Sequence, residues 1–234
     1  MKYRLLMIAT SAGLLAGCPI EDDDEVQEPV PVTASYTVSV KNLTPNQPLS
    51  PLAILAHNDQ YSLFEIGQSS SNPLEVMAEG GDNSDLLAES ANNGNVGYSV
   101  SGTGVILPGA SDSVSLTIDT SVAQQLSVAS MLVNTNDGFV GETQLDIGSL
   151  AIGESLNMNM AVWDAGTEAN DESAATIPGP AAGGEGYNSV RDDNDRVSFH
   201  AGVISQDDGL ASSVLNATHR FLNPGARLTI TRTE

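Results

Sequence analysis

The chain has one cysteine, eight lysines and arginines and 4% aromatic residues in 234 positions, and each scarcity removes a class of function. A single thiol makes no internal disulfide, no Cys/His zinc cage and no redox pair. Eight basic residues against 30 Asp and Glu leave a net charge of −22. Nucleic acid is thereby excluded as a main partner, because affinity for phosphates is carried by Lys and Arg. No G-x-S-x-G elbow, H-E-x-x-H helix or P-loop occurs, so the expectation is a protein that is not an enzyme. Of the three histidines, His57 and His200 fall in or at the ends of apolar strand-like segments, where satisfied, partly buried rings are the expected reading. Carbohydrate-processing clefts usually carry several aromatic platforms, and here there are one Trp and five Tyr. Hydrophobic residues make up 40%, enough for a folded core despite the charge.

The first residues form a distinct segment. Lys2 and Arg4 make a basic start, and Leu5 to Ala16 is an uncharged, mostly apolar stretch, too short for the roughly 20 residues a membrane span needs. It ends in Leu15-Ala16-Gly17-Cys18, which resembles the lipobox of bacterial lipoproteins. The resemblance implies a signal peptide over residues 1–17, lipidation of Cys18 and a membrane anchor made by several acyl chains. Pro19 stands where an Asp would mark inner-membrane retention in the enterobacterial rule, so a lipid-anchored protein of the bacterial cell envelope, at the outer membrane, is expected. Residues 18–32 then read as a tether. Six carboxylates crowd into Glu21 to Glu28, and Pro29 and Pro31 follow; like charges and prolines keep a chain extended and solvated.

From Thr33 the pattern changes to short strands punctuated by Gly, Pro, Asn and Asp. Ser35 to Val40 alternates with period two. Further strands are expected at Leu52 to His57, Val96 to Ser101, Ser113 to Asp119, Leu126 to Val133, Leu156 to Trp163, Val197 to Val203 and Ala226 to Thr233. Helix is a minority, at Pro73 to Glu79 and Ser84 to Ala91. The spacing predicts an all-β, antiparallel β-sandwich with one or two short helices, a single domain over residues 33–234. Arg191-Asp192-Asp193-Asn194-Asp195-Arg196 lacks the Gly and Glu positions of an EF-hand loop and is read as a hairpin tip.

Two strand-to-turn segments stand out. Ser130-Met131-Leu132-Val133-Asn134-Thr135-Asn136-Asp137-Gly138-Phe139 and Val162-Trp163-Asp164-Ala165-Gly166-Thr167-Glu168 each run from an apolar strand into a polar turn. With Asn42-Leu43-Thr44, Leu63-Phe64 and Ile177-Pro178-Gly179-Pro180, they resemble the spondin domain family, over about residues 34 to 232. The family resemblance implies a C2-like sandwich that binds calcium, Ca2+, among the loops at one end, with Asp137, Asp164 and Glu168 as metal ligands. Calcium takes about 6 to 8 oxygens, and three carboxylates at one place repel one another unless a cation offsets the charge. Position 168 is Glu where animal members tend to have Asp, and Gly138 replaces a commonly aromatic residue. Asn170, Asp171 and Glu172 are expected to form a solvated acidic loop.

The function expected is a surface-anchored, non-enzymatic calcium-binding module for adhesion or envelope interactions, meeting an extracellular protein or glycan. The alternative is a carbohydrate-binding or carbohydrate-hydrolysing lipoprotein. Glycosaminoglycan is a poor partner, because the domain carries only Lys41, Arg191, Arg196, Arg220, Arg227 and Arg232 as basic residues.

Overall fold

Alternation along the first strand sets the architecture. In the computed structural model, which describes residues 32–234, β1 (Thr33–Asn42) buries Ala34, Tyr36, Val38 and Val40 and exposes or half-exposes the residues between them. The other strands are β2 (Ala53–His57), β3 (Val96–Ser101), β4 (Ser111–Asp119), β5 (Gln125–Met131), β6 (Gly138–Asp146), β7 (Ser155–Met160), β8 (Val162–Asp164), β9 (Ser198–Phe199) and β10 (Ala226–Arg232), with helices α1 (Asn72–Gly80) and α2 (Ser84–Asn92). The signal segment, Cys18 and the tether as far as Pro31 lie outside the described residues.

The strands form two antiparallel sheets, β4-β1-β10-β7 and β3-β2-β5-β6-β8-β9. One core lies between them: Tyr36, Val38 and Val40 from β1 and Leu228 and Ile230 from β10 meet Ile54, Val128 and Val140 from the second sheet. Tyr36 is fully buried and its hydroxyl donates to the Ile147 carbonyl at 3.0 Å, which removes the cost of a buried phenol. A second core covers the outer face of the larger sheet, where Leu74, Met77 and Ala78 of α1 and Leu86 of α2 pack on Leu55, Ala129, Met131, Phe139 and Trp163. Strand β2 is therefore buried on both faces along its whole length, which explains its continuous apolar run. This is the antiparallel sandwich with two short helices that the sequence predicts.

Local chemistry fixes the ends. Helix α1 starts at Ser71, whose Oγ accepts from the Leu74 N–H, and stops at Gly81 in the left-handed region, φ 71°. Asn42 ends β1 with four bonds: its Nδ2 donates to the Gln47 and Ile106 carbonyls, and its Oδ1 accepts from the Thr44 N–H and hydroxyl.

Some expectations are corrected. Strand β6 lies in a segment with no strong alternation and was not expected as a strand. The segment Leu156 to Trp163 divides at Ala161, so that β7 belongs to the smaller sheet and β8 to the larger. Only Ser198–Phe199 pairs in the expected strand Val197 to Val203, because Gly202 at φ 91° turns the chain away. Residues 191–196 form no hairpin tip: they fold back as an irregular loop, with the Arg191 guanidinium bonded to Glu75 of α1 at 2.7 Å and to the Ser70 carbonyl.

Candidate metal centre

The chain crossing between sheets at Ala161 puts two turns side by side. In β6 and β8, Gly138 pairs with Asp164, so the turn entering β6 and the loop leaving β8 are neighbours at one end of the larger sheet. The first turn is knit by Thr135, whose hydroxyl donates to the Leu132 carbonyl at 2.6 Å and accepts from the Gly138 N–H at 2.9 Å. A Cβ on Gly138 would meet Thr135 Oγ1 at 2.7 Å and His200 Cδ2 at 2.9 Å, which is why this position holds no larger residue. In the second loop Gly166 sits at φ 72°, its α carbon against the Arg196 backbone. That backbone conformation and that close approach both require glycine.

Asp137 is fully buried. Its Oδ2 accepts from the Thr167 and Glu168 N–H groups at 2.8 and 3.2 Å, while Oδ1 has no partner. Glu168 is also buried, and its Oε2 is unpartnered. Asp164, buried too, spends both oxygens locally: Oδ1 accepts from the Gly166 N–H at 2.9 Å and Oδ2 from Asn170 Nδ2 at 2.6 Å. The structure thus brings the three sequence-predicted residues into one place. It does not close them on one point: among the described residues no three His, Cys, Asp or Glu side chains are grouped so as to hold a metal ion.

Crowded burial shows in the proton affinities. Burial, then the charge of Asp164, pushes the Asp137 carboxyl up to about 7. Burial, then the charge of Glu79, pushes Glu168 up to about 8. Glu79 is itself raised by burial. These carboxyls resist ionising because desolvation and like charge both disfavour the anion.

Sequence reasoning missed the contribution of α1. Glu75 and Glu79 are 3% and 1% exposed, on the side of the helix that also buries Leu74, Met77 and Ala78. The signal was available as acids set four apart among the apolar positions of an amphipathic helix. Glu75 is paired with Arg191. Glu79 Oε2 accepts from the Asn188 N–H at 2.8 Å and Oε1 has no partner. Ser70 Oγ, which precedes the helix, donates to the Ala165 carbonyl at 2.8 Å and ties it to the second loop.

The loop after Glu168 is not simply solvated. Asn170 donates to Asp164 as above, and Asp171 accepts from the Thr176 hydroxyl at 2.7 Å. Glu172 is 1% exposed, with Oε1 accepting from the Ile204 N–H at 3.0 Å and Oε2 unpartnered. His57 is satisfied as expected, and His200 is not, because its Nε2 is buried without a partner. His57 bonds at both nitrogens, to the Asn58 carbonyl and to Ser127 Oγ, each at 2.7 Å. His200, buried near Asp164, accepts at Nδ1 from the Gly202 N–H at 3.0 Å, and burial lowers its proton affinity. A surface hollow of about 680 Å³ lies between Leu43, Val203, Phe221 and Leu222 and is lined by no carboxylate.

The strands thus make a two-sheet antiparallel sandwich with two acidic turns at one end of the larger sheet. Residues 41–190 match the Spondin_N family, and the chain belongs to that family. The match is shorter than the resemblance read from the sequence. It leaves out most of β1 and all of β10, which pair with each other over seven residues to form the middle of the smaller sheet. No match was found among curated proteins.

Proposed function

We propose that this protein is a calcium-binding adhesion module of the cell envelope, with Asp137, Asp164 and Glu168 holding the cation. The observation that carries the reading is the pair of orphaned oxygens, Asp137 Oδ1 and Glu168 Oε2, in buried carboxylates that share one backbone contact. A buried carboxylate without a partner is costly and normally gains a proton or a cation. The three proposed ligands are carboxylates, whose oxygens suit a hard cation such as calcium rather than a softer metal. Once bound, calcium offsets the charge of these acids.

The residues around the acids prepare that event. The Thr167 and Glu168 N–H groups fix one oxygen of Asp137, leaving the other free to ligate. Asp164 is held by Gly166 and Asn170 and joins by exchanging one of these bonds for the ion. Ordering of the two loops would then shape the end of the sandwich as a recognition face for an extracellular protein or glycan. Lipidation at Cys18 and an outer-membrane location rest on the lipobox alone; among the described residues no helix is long and apolar enough to cross a membrane.

Calcium at a hundred times its dissociation constant stabilises a one-site protein by about 2.7 kcal/mol. For a domain of this size that raises Tm by roughly 5–10 °C. The rise should vanish in Asp137→Asn; an unchanged Tm of the unaltered protein in millimolar calcium would end the proposal.

A further inference from the structure

We infer that the exposed ring of Phe199, on the edge strand β9 of the larger sheet, is the stacking platform of a binding site for a neutral, β-linked glycan chain. A glycan is one of the partners of the recognition face proposed above, so the inference rests on that reading for its setting; none of the proposed calcium ligands takes part.

Aromatic side chains are scarce in this chain, and they are gathered. Three of the four phenylalanines and the single tryptophan form one cluster on the outer face of the larger sheet. Phe139, Trp163 and Phe199 are register partners across β6, β8 and β9 and so point to the same face. Phe64 leans on the first two, edge-on to Phe139 at 5.4 Å and tilted against Trp163 at 5.5 Å. Trp163 is pinned by its Nε1, which donates to the Gly141 carbonyl at 2.9 Å, and Phe199 stacks on it at 4.4 Å with 24° between the ring planes. Burial falls along the row: Phe139 and Trp163 are buried, whereas Phe199 is 61% exposed. Its ring is thus held against Trp163 on one side and open to solvent on the other.

Beside Trp163 lies a hollow of about 360 Å³, walled by Trp163, Phe64 and the exposed Ile66 and rimmed by Glu65, Glu142 and Gln144, with no basic residue in its lining. The rim offers acceptors. Among the described residues Glu65 and Glu142 form no ion pair, and Gln144 donates its amide N–H to the Tyr61 carbonyl at 3.2 Å, which leaves Oε1 to accept. A pyranose with equatorial substituents presents a face of C–H groups, which packs on the negative face of an aromatic ring, and a girdle of hydroxyls, which donate to carboxylates beside it. A purely apolar partner would strip water from Glu65 and Glu142 without pairing them, and an anionic chain would meet both those carboxylates and a net charge of −22. A neutral sugar avoids both penalties. Because Trp163 already fixes the Phe199 ring, little ordering is needed on binding, which favours affinity.

Trp163 is the only tryptophan of the chain, so its fluorescence reports on a ligand at Phe199. Cellohexaose and N-acetylated chitohexaose, both neutral and β-linked, are titrated into the full chain in EDTA and followed by fluorescence and calorimetry, with oligogalacturonate as the anionic counterpart. The expected result is saturable binding of at least one neutral chain and none of oligogalacturonate, with a loss of at least about tenfold in affinity for Phe199→Ala at unchanged Tm. Glu65→Ala, at an exposed position, should lose at least about threefold. No saturable binding of either neutral chain overturns the inference, and so does affinity unaltered by Phe199→Ala or equal binding of oligogalacturonate. A fall of Tm in Phe199→Ala assigns the ring to the fold, and the inference then stands or falls on the loss in Glu65→Ala. A calcium-dependent rise in Tm without glycan binding removes this inference alone; glycan binding without a calcium response removes the calcium reading alone.

Discussion

Glu172 offers a test of how this domain treats buried charge that is independent of any cation ligand. Its carboxyl is 1% exposed, has one backbone donor and one orphaned oxygen, and burial pushes it from the usual 4.5 up to about 7. Because the folded-state value is raised, the folded protein holds this proton more tightly than the unfolded chain. Its contribution to stability is therefore fully present below about pH 4.5 and is lost as pH rises through 7. At 1.36 kcal/mol per pH unit the loss is about 3 kcal/mol. Glu172→Gln mimics the protonated form at every pH. The amide places a donor at the orphaned position and carries its own cost, but that cost does not change with pH, so the informative quantity is a double difference. Thermal melts in EDTA should show the Tm of the variant gaining on that of the unaltered protein by roughly 6–12 °C between about pH 4 and pH 8.5. A Tm gap that is the same at both pH values would refute the reasoning, and so would a variant that falls behind at high pH.

Two further expectations concern the frame that holds the site. Asn42→Ala removes four buried bonds at the end of β1 and should cost about 3–5 kcal/mol in urea unfolding; a loss under 1 kcal/mol would mean that water replaces these contacts. Gly166→Ala places a Cβ on the Arg196 backbone at a positive φ and should cost about 2–4 kcal/mol. The same variant should blunt any calcium-dependent rise in Tm.

The sequence carries much of this fold in its local periodicity. The alternation of Ser35 to Val40 marks both the strand and the residues it buries, since a strand with one solvated face must alternate. Asp137 and Asp164 are legible as turn acids, and the register of β6 against β8 supplies the reason they are neighbours. The part that is not legible depends on what covers each segment. Strand β6 buries its first half on both faces and leaves its second half largely exposed, so no single period runs through it. Glu79 stands next to the apolar positions of α1, and the packing of that helix on the sheet is what shows it to be buried. Glu172 lies in an Asn-Asp-Glu run that reads as solvated, and only its bonds to Ile204 and Asn136 reveal that it is enclosed. The need for glycine at position 138 is likewise set by Thr135 and His200, which leave no room for a Cβ there.

In the calcium reading, the orphaned oxygens of Asp137 and Glu168 ligate a cation together with Asp164. A crystal structure of the chain grown in millimolar calcium tests it most directly. One ion is expected, with oxygens of Asp137, Asp164 and Glu168 at about 2.3–2.6 Å. Carboxylates still apart, with no ion between them, would contradict it.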